Sequence, residues 1–242
     1  MEEKTVSDAI KYRRSVRIFK PEPLDTAKVK ECIRLASLAP NSSNMQLWEF
    51  YHILSTDMLQ RVSRLCMDQN ASKNANQMVV FVVRKDLWKT RAKANAVNRK
   101  QLFGNKEFKE YTKREKDGIN YFTKLMPFLY FDFLGIFGDL KLFIVQIASI
   151  FRPMYRQVSD TDMRIVAHKS TALACENFMI SMAGIGYDTC PMEGFDSSRL
   201  KRLLKLPYGA EISMIIACGI RSDDGIFAPQ FRVPFEEVYH SK

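Results

Sequence analysis

The chain has 242 residues, 46% apolar and 26% charged, which is ordinary globular usage and excludes a disordered or fibrous chain. Its formal net charge of +10 points to an anionic partner: nucleic acid, a membrane surface, or an anionic cofactor or substrate. Five widely spaced cysteines without a Cys-x-x-Cys, and three histidines not spaced as ligands, argue for reduced thiols and against a disulfide framework or a metal site.

The start, Met1-Glu2-Glu3-Lys4, is acidic and no apolar run follows it. It does not read as a signal peptide, and a cytoplasmic location is expected. Thr5 to Arg14 reads as a short helix capped by Thr5 or Ser7, with Val6, Ala9 and Ile10 on one face. It leads into Tyr12-Arg13-Arg14-Ser15-Val16-Arg17-Ile18-Phe19, three guanidiniums and a hydroxyl within five residues. Such a run grips phosphate bidentately, or is simply a solvated basic helix end.

Asp25 caps a second helix carrying Val29, Cys32, Ile33, Ala36 and Ala39 at helical spacing, and Pro40 stops it. Asn41 to Gln46 is a polar loop, suited either to a planar polar ligand or to a plain turn. Trp48 to Leu54 is a strand and Thr56 to Cys66 a helix. Met78 to Val83 is a continuous run of β-formers, which fits a strand buried on both faces.

Charge then concentrates: residues 84–124 hold 13 Lys/Arg against 5 Asp/Glu. Residues 86–118 are basic and helix-prone, and 119–151 are rich in large apolar groups. Pro127 is expected to break any helix there. Lys124, Asp132, Asp139 and Lys141 interrupt the run, so no charge-free stretch reaches the roughly 18 residues a spanning helix needs. The segment reads either as a cover over a pocket or a partner subunit, or as an interfacial hairpin making weak membrane-surface contact through 119–151. Nucleic acid is disfavoured, because the basic residues precede the aromatics instead of interleaving with them.

Asp162 to Ala183 is a long helix, apolar most of the way round and so expected at the centre, with Gly184 and Gly186 as its stop. Tyr187 to Cys190 is strand-like, Pro191 to Phe195 a turn, Asp196 to Leu204 a capped helix and Glu211 to Ile220 a buried strand. Alternating strands and helices indicate α/β or α+β with a small sheet. No repeat or linker divides the chain, so a single domain over 1–242 is expected, with a variable helical insertion at about 86–160.

Four separated pieces stand in order: Arg13 to Phe19, Ala39 to Trp48, Pro191 to Phe195, and Gly219 followed by Arg232-Val233-Pro234. Together they resemble the nitroreductase family of FMN-dependent flavoproteins, over roughly 5–85 and 160–240. The resemblance implies an α+β fold with a small, mostly antiparallel sheet flanked by helices. It implies an intertwined homodimer with FMN at the subunit interface. It implies that Arg13, Ser15 and Arg232 contact the FMN phosphate and that Arg14 acts mainly through its backbone. Arg17 would lie near the pyrimidine end, where a cation favours the negative charge of reduced flavin.

On the same resemblance, Ser42, Asn44 and Gln46 come from the other subunit, and Pro191, Met192, Glu193 and Gly194 lie along one ring face. Asn70 and Lys73 are weaker matches. Gln230 stands where the family commonly has a basic residue, Asn41 where it often has Ser, and Leu47 where it often has Pro. NADH or NADPH would be the donor, and a nitroaromatic, quinone or similar small molecule the acceptor, in alternation. Reductive dehalogenation or flavin breakdown is the alternative chemistry. The cofactor carries that chemistry, so no catalytic side chain and no metal ligand is nominated. Cys190 reads as a buried thiol beside the ring-face segment.

Overall fold

The computed structural model describes residues 3–132 and 136–242; parts of the acidic start and of the 119–151 apolar run, at 1–2 and 133–135, lie outside them. Helix α1 (Val6–Tyr12) begins where the Thr5 hydroxyl accepts from the Asp8 N–H. Of its expected apolar face only Ala9 is buried; Val6 and Ile10 are exposed. Helix α2 (Thr26–Ala36) starts at Asp25, whose carboxylate accepts from the N–H groups of Ala27 and Lys28.

Four strands form an antiparallel sheet in the order β1-β2-β4-β3 among the described residues: β1 (Trp48–Ile53), β2 (Gln77–Val83), β3 (Asp188–Met192) and β4 (Glu211–Gly219). The Met78–Val83 run is the core of β2, every residue of which is buried, because β2 has a strand on either side and helices on both faces. Met78, Val80 and Val82 face one way, toward Val62 of α3 (Thr56–Leu65), Cys66 just past its end, and Leu200 of α10 (Ser197–Leu203). Val79 and Phe81 face the other, toward Val29 and Cys32 of α2 and Cys175, Phe178 and Met182 of α9 (Asp160–Gly184). Each such large side chain contributes about 1.5–3 kcal/mol by leaving water.

Pro191 and Met192 lie within β3, not in the following turn as their sequence suggests. β3 is an edge strand, where a residue without an N–H can be tolerated. Helix α9 is central, but only on one side. Leu173 and Ile165 are exposed on the other, so the apolar circumference does not mean burial all round within one chain.

Helices α4 (Asn70–Asn74), α5 (Trp88–Leu102), α6 (Lys113–Asn120), α7 (Met126–Tyr130) and α8 (Ile136–Ala148) precede α9; α11 (Phe235–Val238) ends the chain. Pro127 does not break the path from α6 to α7. A π-turn over Tyr121–Leu125 comes first, closed by the Met126 N–H donating to the Tyr121 carbonyl. Pro127 then sits in the first turn of α7, where its missing N–H has little consequence. Helices α5 and α7 pack Ala92, Ala96, Met126 and Tyr130 against Met45 and Leu47, so the insertion covers the 41–47 loop. No helix among the described residues is long and apolar enough to cross a membrane.

Candidate functional site

The chain leaves α1 at Arg13 and runs extended along β3. Ser15 bridges Thr189, the Val16 N–H donates to the Thr189 carbonyl at 3.1 Å, and the Arg17 N–H donates to Gly225 at 2.8 Å. These bonds hold the basic run as a straight edge. Gly225 is required here, since a Cβ would come within 2.5 Å of the Ile18 carbonyl oxygen. A cavity of about 470 Å³ lies along this edge. Arg13, Arg14, Ser15 and Arg17 line it from one side, and Ile226, Phe227, Gln230 and Arg232 from the other. The two ends of the sequence motif set, more than 200 residues apart, therefore meet at one site.

The four arginines differ in their engagement. Arg14 donates to the Ala228 carbonyl at 2.8 Å and ties down the tail. The Arg17 guanidinium lies 5.9 Å from the Phe227 ring centroid. Among the described residues Arg232 bonds only to the neighbouring Phe231 carbonyl, at 2.7 Å. A cationic edge, a hydroxyl and an apolar wall in one cavity suit an aromatic ligand carrying a phosphate, which is the chemistry of FMN.

Below the run lies an ion pair between a buried carboxylate and a half-buried guanidinium. Arg221 donates to Asp188 Oδ1 at 2.5 and 2.8 Å and to the Tyr12 carbonyl at 3.1 Å, with its guanidinium 4.1 Å from the Tyr12 ring centroid. The Arg221 backbone N–H donates to the other Asp188 oxygen at 2.8 Å. This node joins the residue before Arg13 to the start of β3. Burial works against the Arg221 charge, but Asp188 raises its pKa above the ordinary value; burial and then Asp188 raise that of the Tyr12 phenol. Sequence reading missed Asp188 and Arg221, because a pair 33 residues apart carries no local signature.

The 41–46 loop lies elsewhere. Ser43, Asn44 and Gln46 have φ of 54°, 51° and 47°, left-handed geometry that non-glycine residues rarely hold. Side-chain bonds fix it: the Gln46 N–H donates to Asn41 Oδ1 at 2.8 Å, and Asn95 of α5 exchanges bonds with Asn44 at 2.9 and 3.0 Å. The Ser43 and Tyr121 hydroxyls are 2.7 Å apart, and the Ser42 N–H donates to Ser170 at 3.3 Å. Asn95 and Tyr121, both from the insertion, thus position a loop whose own residues were the sequence candidates.

Ser42 and Ser43 line an apolar cavity of about 580 Å³, together with Tyr130, Met154, Met163 and Arg152. Burial pushes the Tyr130 phenol up to about 12, so it stays protonated and able to donate.

Pro191 and Met192 run beside the Ser15 bridge, and Glu193 and Gly194 follow. Gln69, unmarked in the sequence, donates to the Gly194 carbonyl at 2.7 Å and to that of Cys66 at 3.0 Å, pinning this corner. Cys190 is buried, and burial raises its pKa although Arg17 and Arg13 pull the other way, which fits an inert thiol. Lys73 lines a third cavity, of about 260 Å³, with Asp68 and Ser72. Asn70 and Lys73 do not line the arginine cavity, and neither do Ser42, Asn44, Gln46 or Pro191, Met192, Glu193 and Gly194. Gly219 packs against Phe19: a Cβ there would come within 2.5 Å of the ring.

Comparison with known proteins identifies the fold and the family. The chain is 26% identical to Protein DrgA of Synechocystis sp. over 218 residues, covering 90% of this chain and 84% of that one. It is 22% identical to MhqN of Bacillus subtilis, provisionally named an NAD(P)H nitroreductase, over 94% of each chain. Among solved structures, the Bacillus subtilis protein ydfN superposes with a TM-score of 0.72 at 20% identity, over 98% of both chains. A provisionally named nitroreductase of Exiguobacterium sibiricum, crystallised with FMN, superposes with a TM-score of 0.67 at 17% identity, over 100% of this chain and 99% of that one. The family model described as the nitroreductase family matches residues 10–220, and the chain belongs to that family.

Proposed function

We propose that the protein carries a hydride from NADH or NADPH to a small apolar acceptor, a nitroaromatic, a quinone or a similar molecule, in alternating half-reactions. The chain is an FMN-dependent oxidoreductase of the nitroreductase family, and the observation that carries the finer reading is the cavity shared by Arg13, Ser15, Arg17 and Arg232. FMN, when bound, supplies the two-electron chemistry.

The side chains divide the remaining tasks. Arg13, Ser15 and Arg232 hold the phosphate, as charge-assisted and neutral donors. Arg17 lies toward the pyrimidine end, where its charge offsets the negative charge gained on reduction. Pro191 to Gly194 form a wall along one ring face. Ser42, Asn44 and Gln46 complete the site from a second subunit. That assignment is supported by the exposed apolar residues Val6, Ile10, Leu173, Phe235 and Val238, which a partner copy would cover. The apolar cavity behind Ser42 and Ser43 then becomes the acceptor's chamber, with Tyr130 and Arg152 as polar contacts.

Purified protein titrated with FMN tests the reading. Saturable quenching of flavin fluorescence, one FMN per chain in a dimer, is expected, followed by NAD(P)H oxidation that depends on added quinone or nitroaromatic. A protein that leaves FMN fluorescence unchanged would sink it. Reduction of halogenated phenols in preference to quinones would transfer the assignment to dehalogenation.

A further inference from the structure

Helix α8 is built with its polarity reversed. Its inner stripe, Gly138, Lys141, Val145 and then Ser149 just past its end, repeats at helical spacing and is buried. Its outer stripe, Leu140, Phe143, Ile144 and Ile147, continued by Ile150 and Phe151, is composed of large apolar side chains that are 47–84% exposed. The polar groups are inside: Lys141 Nζ donates to the carbonyls of Phe128, Leu129 and Phe131 at 3.1, 3.0 and 2.9 Å, and the Ser149 hydroxyl donates to Gln146 at 2.7 Å. A surface helix in water has the opposite arrangement. Leu125, Phe128, Phe131 and Phe137 are also exposed in the same segment, which extends the apolar area beyond one helix.

We propose that the outer face of α8 docks on the surface of an anionic lipid bilayer. At 13 residues the helix is about 20 Å long, too short to span but suited to lying in the interface. Charge selects the occupant. Residues 84–124 carry 13 Lys/Arg against 5 Asp/Glu, Lys89, Lys93 and Lys100 of α5 share a cavity with Phe122 and Pro127 beside the exposed Phe128, and the exposed Arg152 follows directly on Phe151 with Arg156 four residues further on. Anionic headgroups complement that flank. A second copy of this chain, packed symmetrically through α8, would bring two such basic segments together and meet repulsion. Leu125, Phe128 and Arg152 also line the chamber behind Ser42, but Phe143, Ile144, Ile147 and Ile150 line neither that chamber nor the arginine cavity, so the face can be altered there without touching either.

The test is co-sedimentation of the full-length protein with vesicles of phosphatidylglycerol and phosphatidylcholine in equal parts, against vesicles of phosphatidylcholine alone. Binding to the anionic vesicles is expected to exceed binding to the neutral ones at least roughly tenfold, to fall as salt rises, and to drop at least roughly tenfold in Phe143→Ser/Ile147→Asn. Phe143→Trp, which keeps an apolar side chain, supplies a second measurement. Its indole emission should shift to the blue on adding anionic vesicles and be quenched by lipids brominated in the acyl chain. Sedimentation unchanged by the double substitution, an unshifted indole emission from Phe143→Trp, or oligomerisation through Phe143 and Ile147 without vesicle binding would each overturn the proposal.

Discussion

The sheet region and the insertion solve the problem of apolar surface in opposite ways. In the sheet region helices α2, α3 and α10 turn apolar residues inward onto β2 and leave charged ones outside: Glu31 pairs with Arg34, Asp57 with Arg61 and Asp196 with Arg199 on their outer faces. In the insertion α8 turns Lys141 inward and large apolar residues, Phe143 and Ile147 among them, outward. The first arrangement is complete within one chain. The second is complete only against something else. Folding stability is therefore expected to reside in the sheet region, while α8 joins Val6, Ile10 and Leu173 of α1 and α9 in offering apolar surface to something outside the chain.

The largest expected effect lies in the sheet region. Asp188→Ala removes the partner of Arg221, whose guanidinium also holds the Tyr12 carbonyl and ring. Breaking a buried pair on one side costs about 3–5 kcal/mol, and the low end is expected because Arg221 keeps some access to water. Urea unfolding should show the loss, with FMN affinity falling in parallel because Arg13 follows Tyr12. Unchanged affinity at full occupancy of the fold would separate the ion pair from the site.

Next in size are the arginines. On the proposed assignment, Arg13→Ala removes a charge-assisted bond to the phosphate worth about 1.5–3 kcal/mol, so FMN should bind roughly ten to a hundred times more weakly. Arg17→Ala should retain FMN and lower its reduction potential, because a cation that favours added negative charge has gone. Equal loss of FMN from both variants would refute the division of labour.

The two regions also differed in what their sequence revealed. Caps, turns and the β2 core follow from short-range chemistry: Thr5, Asp25 and Asp196 each accept from N–H groups two or three residues on. The arginine run was legible for the same reason, since its residues are contiguous. What stayed hidden depended on distant partners. Gln69 reaches Gly194, Asn95 reaches Asn44, and Arg221 reaches Asp188 and Tyr12, none of which spacing alone announces. Burial was hidden too. Leu173 and Val6 have the pattern of core residues yet are exposed, because periodicity tells which face is apolar and not what covers it. In the insertion, Pro127 continues a helical path that its sequence suggests it should end, because a preceding π-turn shifts the bonding register.

Lys141 tests whether the insertion behaves as an independent layer. Lys141→Met keeps the stem's volume and removes the donors to three carbonyls at the end of α7. Burial lowers the Lys141 pKa, so the ammonium bears part of its desolvation penalty in exchange for those bonds. Leaving the carbonyls unpaired should cost about 1–3 kcal/mol. Amide exchange should accelerate across 126–148 and stay unchanged in β2 and β4. Uniform acceleration would mean that the two regions unfold as one.

The smallest effect is a pH dependence at the seam between the regions. Glu211, at the start of β4, accepts from Arg164 at 2.6 Å and lies 3.3 Å from His168, both on α9. Burial raises its pKa, but the bonds from Arg164 and His168 outweigh burial and leave it below the ordinary glutamate value of 4.5. A depressed carboxylate pKa means that the unfolded chain takes up the proton first. The contribution is therefore fully present above about 4.5 and is lost as pH falls through the lower, folded value. Glu211 is about one-third exposed, so solvent screening limits the gain to less than about 1 kcal/mol. Urea midpoints of the natural chain and of Glu211→Gln should differ at about pH 6 and converge near pH 3. A difference that persists at the acidic end would mean that Glu211 acts through packing and not through its charge.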